Sequence, residues 1–240
     1  MRVVDLWRYP VKSLQGERLE VGEVTATGIA GDRSFAIFDA ESGFGLTARR
    51  VPELLFASAS LAGDGGVEIL LPDGSVARDD DTLSAWLGRR VTLRSAASVG
   101  DGARRYENPL DFEHEATSGW MLFTGASTSF HDSAHAQVSL VSTGTIGGWD
   151  RRRFRVNVIV DGDGEDSLVG SRVAVGDAVL DVVKRISRCV MTTRAQPGGI
   201  ERDLDVLRTI NRERDGSLAV GALVAQPGTV RVGDNLTPRS

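Results

Sequence analysis

Short apolar runs, each cut by a turn signal, constrain this chain more than any other feature. In its first 94 residues, the segments 1–9, 19–25, 34–39, 46–49, 54–61, 67–71 and 91–94 read as strands. Gly28 to Asp32, Glu41 to Gly45 and Pro72-Asp-Gly74 read as the turns between them. Proline presets φ and glycine tolerates the corner, so the last of these is a turn with a mechanism. One helix is expected, capped by Asp79 to Asp81, carrying Leu83, Trp86 and Leu87, and stopped near Gly88. Many short strands with one helix predict a small barrel or curled sheet over residues 1–95.

Residues 96–137 break this pattern. Periodicity is poor there, and Ser, Gly, Ala, Asp and Thr dominate from Ser118 to Ser133. Such a stretch inside a compact chain is a binding loop, a lid or a disordered segment. It holds all three histidines, His114, His131 and His135, without a metal-ligand spacing, so they are expected at the surface of a loop. From 138 the strand signals return. Residues 138–141 read as a buried strand, and Ser142 as the N-cap of a short helix. Residues 153–161 carry the strongest strand signal, with Phe154, Val156, Val158 and Val160 on one face and Arg153, Arg155 and Asn157 on the other. A hairpin is expected over 173–175 and 179–183, a helix over 201–214 and final strands over 218–224 and 229–232. The expected fold is mainly β with a few helices, in three parts: 1–95, a connecting or lid segment 96–137, and 138–236.

A net charge of −5 argues against a nucleic-acid surface. No apolar run is long enough for a membrane span, and Asp5 interrupts the place where an export signal would be apolar. A single cysteine in 240 residues forms no internal disulfide and holds no iron–sulfur cluster. A cytoplasmic protein is the expectation.

That cysteine, Cys189, sits in Lys184-Arg-Ile-Ser-Arg-Cys-Val-Met-Thr-Thr-Arg194. Thiols act as nucleophiles and metal ligands in the thiolate form, which nearby cations favour. A free cysteine also packs as a small buried hydrophobe, and the window alone leaves both roles open.

The wider sequence resembles the MOSC domain, named for the C-terminal domain of molybdenum cofactor sulfurase. Arg153-Phe-Arg-Val-Asn157, Glu165-Asp-Ser167, a Val-Gly-Asp turn at 175–177, Arg188-Cys189 and Thr192-Thr193 follow its order and spacing. Tyr9-Pro-Val-Lys-Ser13, Gly31-Asp-Arg33, Thr47-Ala-Arg49 and Pro52-Glu-Leu54 resemble the β-barrel domain that often precedes it. By architecture the chain is similar to amidoxime-reducing components and related reductases of N-hydroxylated compounds.

The resemblance implies a molybdenum–pterin cofactor with Cys189 as the metal's protein ligand. Lys12, Ser13 and Arg33 are then expected at the cofactor's phosphate, with Asp132 and Ser133 in a cofactor loop. Ser142, Arg153, Arg155, Asn157 and Arg188 complete the implied cofactor-binding set. The implied partners are a small-molecule substrate and a separate electron-donor protein carrying flavin, iron–sulfur or heme. Two other roles stand beside this one: a sulfur carrier using a Cys189 persulfide, and a non-catalytic cofactor-binding module. Pyridoxal phosphate is associated with the wider superfamily, but Lys12 and Lys184 are the only lysines and neither marks a Schiff base. The chain departs from the family pattern at Val156, where proline is usual, and at Arg194-Ala-Gln-Pro197, where Asp-Pro is usual. It is also short between Ser118 and Ala136. These differences bear on substrate identity more than on cofactor binding.

Overall fold

The computed structural model describes residues 1–63, 65–99 and 104–239. Its centre is an eight-stranded sheet in the order Leu236–Arg239, Arg172–Val175, Ala178–Ser187, Ser217–Gln226, Val138–Ser142, Val158–Val160, Val3–Arg8, Glu17–Leu19. All neighbours are antiparallel except Val138–Ser142 and Val158–Val160. That parallel pair needs a crossover, which the short helix Thr143–Ile146 and the 3-10 turn Arg151–Arg153 provide. The first two strands of the chain thus belong to the sheet of its C-terminal half. Gly228–Arg231 likewise pairs with Val21–Thr25. Alternating Val and Leu from both halves close one core, including Val3, Leu6, Val24, Val158, Val173 and Leu180.

A second core, with Val11, Leu14, Ile37, Leu54, Leu55, Ile69 and Leu83, sits under the rest of the N-terminal part. Here Phe35–Asp39 pairs with Val91–Ser95, and Ser58–Leu61, Val67–Leu70 and Val76–Ala77 form a small sheet. The expected helix is present at Asp80–Leu87. Asp79 caps it by accepting from the Thr82 amide, and Gly88 ends it at φ 63°.

Several expectations are corrected. Residues 153–161 are a strand only at Val158–Val160. Asp150 accepts from the Arg152 amide and starts a 3-10 turn, and Arg155 sits at φ 50°, so alternation is lost where it was expected to build a polar face. Residues 46–49 form no strand; an isolated bridge to Phe38 lies just before them, at Gly45. Pro52 opens a 3-10 turn, Pro52–Phe56, which shortens the next strand to Ser58–Leu61. The last helix is Asp205–Arg214 and starts later than expected, because the Asp203 amide is committed to the Thr193 carbonyl.

Segment 96–137 contains a regular hairpin, Arg105–Pro109 paired with Trp120–Thr124. Its signal is faint because Tyr106 and Pro109 are its only buried residues. His114 and His135 are exposed as expected. His131 is not: its ring is buried 3.8 Å from Asp32. Among the described residues, no helix is long and apolar enough to cross a membrane.

Candidate functional site

The long strand Ala178–Ser187 delivers Cys189 to the edge of a cavity of about 430 Å³. The Arg188 amide bonds to the Gly216 carbonyl as the strand ends. Cys189 is extended and precedes the 3-10 turn Val190–Thr193. The Thr192 amide and hydroxyl both donate to the Cys189 carbonyl, at 3.1 and 3.0 Å, and Val190 is buried behind it. Arg153 clamps this turn from below, donating to the carbonyls of Thr192, Arg194 and Glu201 at 3.2, 3.2 and 2.8 Å. Backbone and side chain together hold the sulfur in one place, half-buried at the cavity wall.

Seven of the lining side chains are Lys or Arg, and among the described residues lining the cavity Asp132 is the one carboxylate. Lys12 reaches the Phe130 carbonyl at 2.7 Å and Asp132 at 2.5 Å, with its ammonium 4.4 Å from the centre of the Tyr106 ring. Burial, partly offset by Asp132, pulls Lys12 down to about 8. Ser13 adopts φ 71° and accepts from the Ala48 amide at 3.1 Å. Arg33, also left-handed at φ 50°, pairs with Asp32 and donates to the Arg155 carbonyl at 3.0 Å. Arg155 donates to the Leu14 carbonyl, and both guanidinium groups lie over Tyr9. Burial lifts Tyr9 to about 12, so it stays a neutral phenol between them.

Arg188 donates to the Leu218 and Phe154 carbonyls at 2.7 and 3.2 Å. Burial draws Arg155 and Arg188 down to about 10, which leaves both charged at neutral pH. Burial, with Arg33 nearby, also lowers His131 to about 4, so this cavity-lining ring is neutral. Lys184 reaches the Ser133 hydroxyl at 3.3 Å.

Arg49 is the residue that sequence reasoning missed. Its Nε donates to the Cys189 sulfur at 3.3 Å, and its other arm bonds Asp132. Burial works against the Asp132 charge, but Arg49 and Lys12 outweigh it and hold the carboxyl well below its usual range. Arg49 lay in the Thr47-Ala-Arg49 motif that carried part of the resemblance, and nothing local tied that motif to the sulfur. The hairpin adds Asn108, Met121 and Phe123 to the cavity wall.

Two residues expected at the site lie away from the cavity. Ser142 caps its helix and bonds the fully buried Glu165 at 2.5 Å. Asn157 is consumed by Ser139 and the Trp7 carbonyl, tying the sheet together. The lost alternation after Arg153 explains this: Asn157 faces the sheet interior while Arg153 and Arg155 line the cavity.

The family model for the MOSC N-terminal beta barrel domain matches residues 1–96, and that for the MOSC domain matches 127–237. A molybdenum cofactor sulfurase of Drosophila willistoni is 27% identical over 249 residues, covering 94% of this chain. This chain spans only 31% of that protein. Mitochondrial amidoxime-reducing component 1 of Mus musculus is 25% identical over 281 residues, covering 97% of this chain and 80% of the mouse protein. A crystal structure of the YUAD protein from Bacillus subtilis aligns with 13% identity and a TM-score of 0.44, over 98% of this chain and 93% of that one. The two family models meet at the cavity that Arg49 and Cys189 share, and the chain belongs to the MOSC family, as an N-terminal MOSC β-barrel domain followed by a MOSC domain.

Proposed function

We propose that the cavity binds a molybdenum–pterin cofactor and that the protein reduces N-hydroxylated or N-oxide small molecules with electrons from a separate donor protein. One observation carries this reading. A half-buried thiol shares a cavity with seven cationic side chains, and two of their buried N–H groups, Arg49 Nη1 and Arg188 Nη2, have no partner among the described residues. Buried donors without partners are costly, and an anionic ligand would satisfy them. A soft sulfur beside such an anion site suits a metal carried by a phosphate-bearing organic group. The residues present therefore fit the cofactor that the sulfurase relative's name mentions.

In this reading Cys189 is the metal's protein ligand. Arg33, Arg155, Arg188 and Lys12 hold the anionic part of the cofactor, and Ser13 and Ser133 line its polar rim. When bound, the cofactor supplies the two-electron transfer. The chain's own residues orient and neutralise it. Arg153 keeps the Cys189 turn rigid, and Asp132 sets Arg49 and Lys12. Lys12, at about 8, is the lining cation whose proton is labile near neutral pH. Reduction of an N-hydroxyl group consumes two electrons and two protons and releases water, so the reading requires an electron-donor protein.

A second reading makes Cys189 a persulfide carrier that passes sulfur to an acceptor. It is favoured by the N–H of Arg49 already placed on the sulfur. Molybdenum and pterin content of protein purified from a host that makes the cofactor, beside a Cys189→Ser variant, separates the two. Near-stoichiometric metal that the variant loses supports the reductase. Metal absent from both, with a persulfide on Cys189, overturns it in favour of sulfur transfer.

A further inference from the structure

The hairpin Arg105–Pro109/Trp120–Thr124 lies between the segments matched by the two family models, yet it forms one wall of the cavity. Its two ends are held by different physics. At the root, Arg104 is 2% exposed and donates to the carbonyls of Ala126, Ser129, Ala96 and Val99 at 2.8, 3.1, 2.8 and 3.3 Å. Next to it the fully buried Tyr106 ring lies against Gly45 and Gly125, where a Cβ would come within 2.3 and 2.7 Å of ring atoms. No side chain fits there, so the root is wedged into the core.

The tip is held by charge. Glu115 pairs with Arg194 and, at 3.3 Å, with Arg202. Glu113 pairs with Arg208 at 2.7 Å. Arg202 and Arg208 are about half exposed, so their pairs are individually weak and screened by salt, whereas the Glu115–Arg194 pair is nearly buried, at 15% and 9% exposure, and is screened much less. Between root and tip, Phe123 lies 4.9 Å from the Arg49 guanidinium, and Arg194 donates to the Arg49 carbonyl at 2.5 Å. The residue that touches the sulfur is therefore held from two sides by the hairpin and its latch.

We propose that the 105–124 hairpin is a latched wall of the cavity: Glu113 and Glu115 pin its tip to Arg194, Arg202 and Arg208, the closed wall limits the size of molecule that reaches Cys189, and release of the latch opens that side while the root stays fixed. The hairpin is a specificity element as well as a cover. Its inner face offers Met121 and Phe123 to the apolar part of an entering molecule, beside an otherwise cationic lining. The proposal does not depend on which group the cavity binds.

Because Cys189 is the only cysteine, its alkylation reports access without ambiguity. The full chain, without added cofactor, is treated at low salt with iodoacetamide and, separately, with a polyethylene-glycol maleimide. Replacing both latch acids, Glu113→Gln with Glu115→Gln, is expected to raise the rate with the bulky reagent about tenfold. The iodoacetamide rate should stay within about twofold, as should both rates in Asp181→Asn, which breaks an exposed pair with Arg172 elsewhere. High salt on the unmodified protein should move the ratio in the same direction by a smaller factor, since the nearly buried Glu115–Arg194 pair is screened less, and this keeps the test valid if the double variant fails to fold. Amide exchange should rise at Trp120 and Met121, the tip end of the strand, and not at Tyr106 or Phe123, which pair at the root. An unchanged ratio of bulky to small reagent rates overturns the proposal, and so does an equal rise in both, which signifies general loosening.

Discussion

Arg49 and Cys189, 140 residues apart in sequence and each within a different family-matched segment, meet where the arginine Nε donates to the sulfur at 3.3 Å. The same guanidinium bonds Asp132 and lies under the Phe123 ring. It thus joins the N-terminal part, the hairpin, the 130s loop and the cysteine turn. Replacing it with methionine leaves Asp132 to Lys12 alone and the sulfur without its donor. If the proposed cofactor reading holds, Arg49→Met lowers molybdenum retention about tenfold, and in any case it is expected to cost about 1–2 kcal/mol of stability, a buried-pair figure discounted because Asp132 is 46% exposed. Arg49→Lys should keep part of the stability and little of the retention, since an ammonium cannot reproduce the fork. Metal analysis and urea unfolding on the same preparations check both, and full retention in Arg49→Met would count against a role at the metal.

Lys12 sets a pH dependence. Its ammonium is held down to about 8 in the fold against 10.5 in the unfolded chain. Between those values the unfolded chain binds more protons, so this group makes stability rise with pH across that window. Anion binding moves the other way, because the cavity loses a charge as pH passes about 8. Sulfate, whose charge is constant here, is expected to bind up to about tenfold more weakly at about pH 9.5 than at about pH 7. Lys12→Arg should shrink the dependence to the smaller part that Arg155 and Arg188, drawn down to about 10, contribute near pH 9.5. Calorimetric titration of the cofactor-free protein measures this, and an equal loss in Lys12→Arg would assign the dependence to another group.

The charge of the cavity should be readable from the thiol itself. With seven cationic side chains lining it, a sulfonate-bearing methanethiosulfonate is expected to modify Cys189 about tenfold faster at low salt than a trimethylammonium reagent of similar size. The difference should collapse in about 1 M salt, where the screening length is only a few ångströms. Equal rates at low salt would mean that the cations are neutralised by groups outside the cavity.

Arg104 joins four carbonyls around the hairpin root and is almost fully buried. Arg104→Met strands those acceptors and is expected to cost about 3–5 kcal/mol. Arg104→Lys should recover only part of this, because three donors on one nitrogen cannot span the set. Urea midpoints of the three proteins check the order, and a loss under about 1 kcal/mol in the methionine variant would contradict it.

Elements whose cause is local were legible before the structure. The helix Asp80–Leu87 announced itself through Asp79 and Gly88, and the hairpin of Arg172–Val175 and Ala178–Ser187 through period-two valines around Gly176-Asp177. Where the cause is remote, local pattern misled. Residues 153–157 alternate like a strand, but Arg153 is drawn to the carbonyls of Thr192, Arg194 and Glu201, and Arg155 turns left-handed. The hairpin at 105–124 was hidden because its inward residues are few and its support lies outside it: Arg104 bonds carbonyls at 96–99 and 126–129, and the latch acids pair with Arg194, Arg202 and Arg208.

Strand period, caps, turn residues and the ordered motifs around Cys189 were enough to specify a β-rich MOSC chain with a sulfur and a set of cations available for chemistry. Which cations share a cavity with that sulfur was decided by folding alone. Lys12 meets Asp132 across 120 residues and Arg49 meets it across 83. Ser142 and Asn157, equally marked by motif, were taken up instead by a helix cap and a sheet joint. Ion pairing and desolvation depend on which groups are brought within a few ångströms in space, and no short window of sequence encodes that proximity.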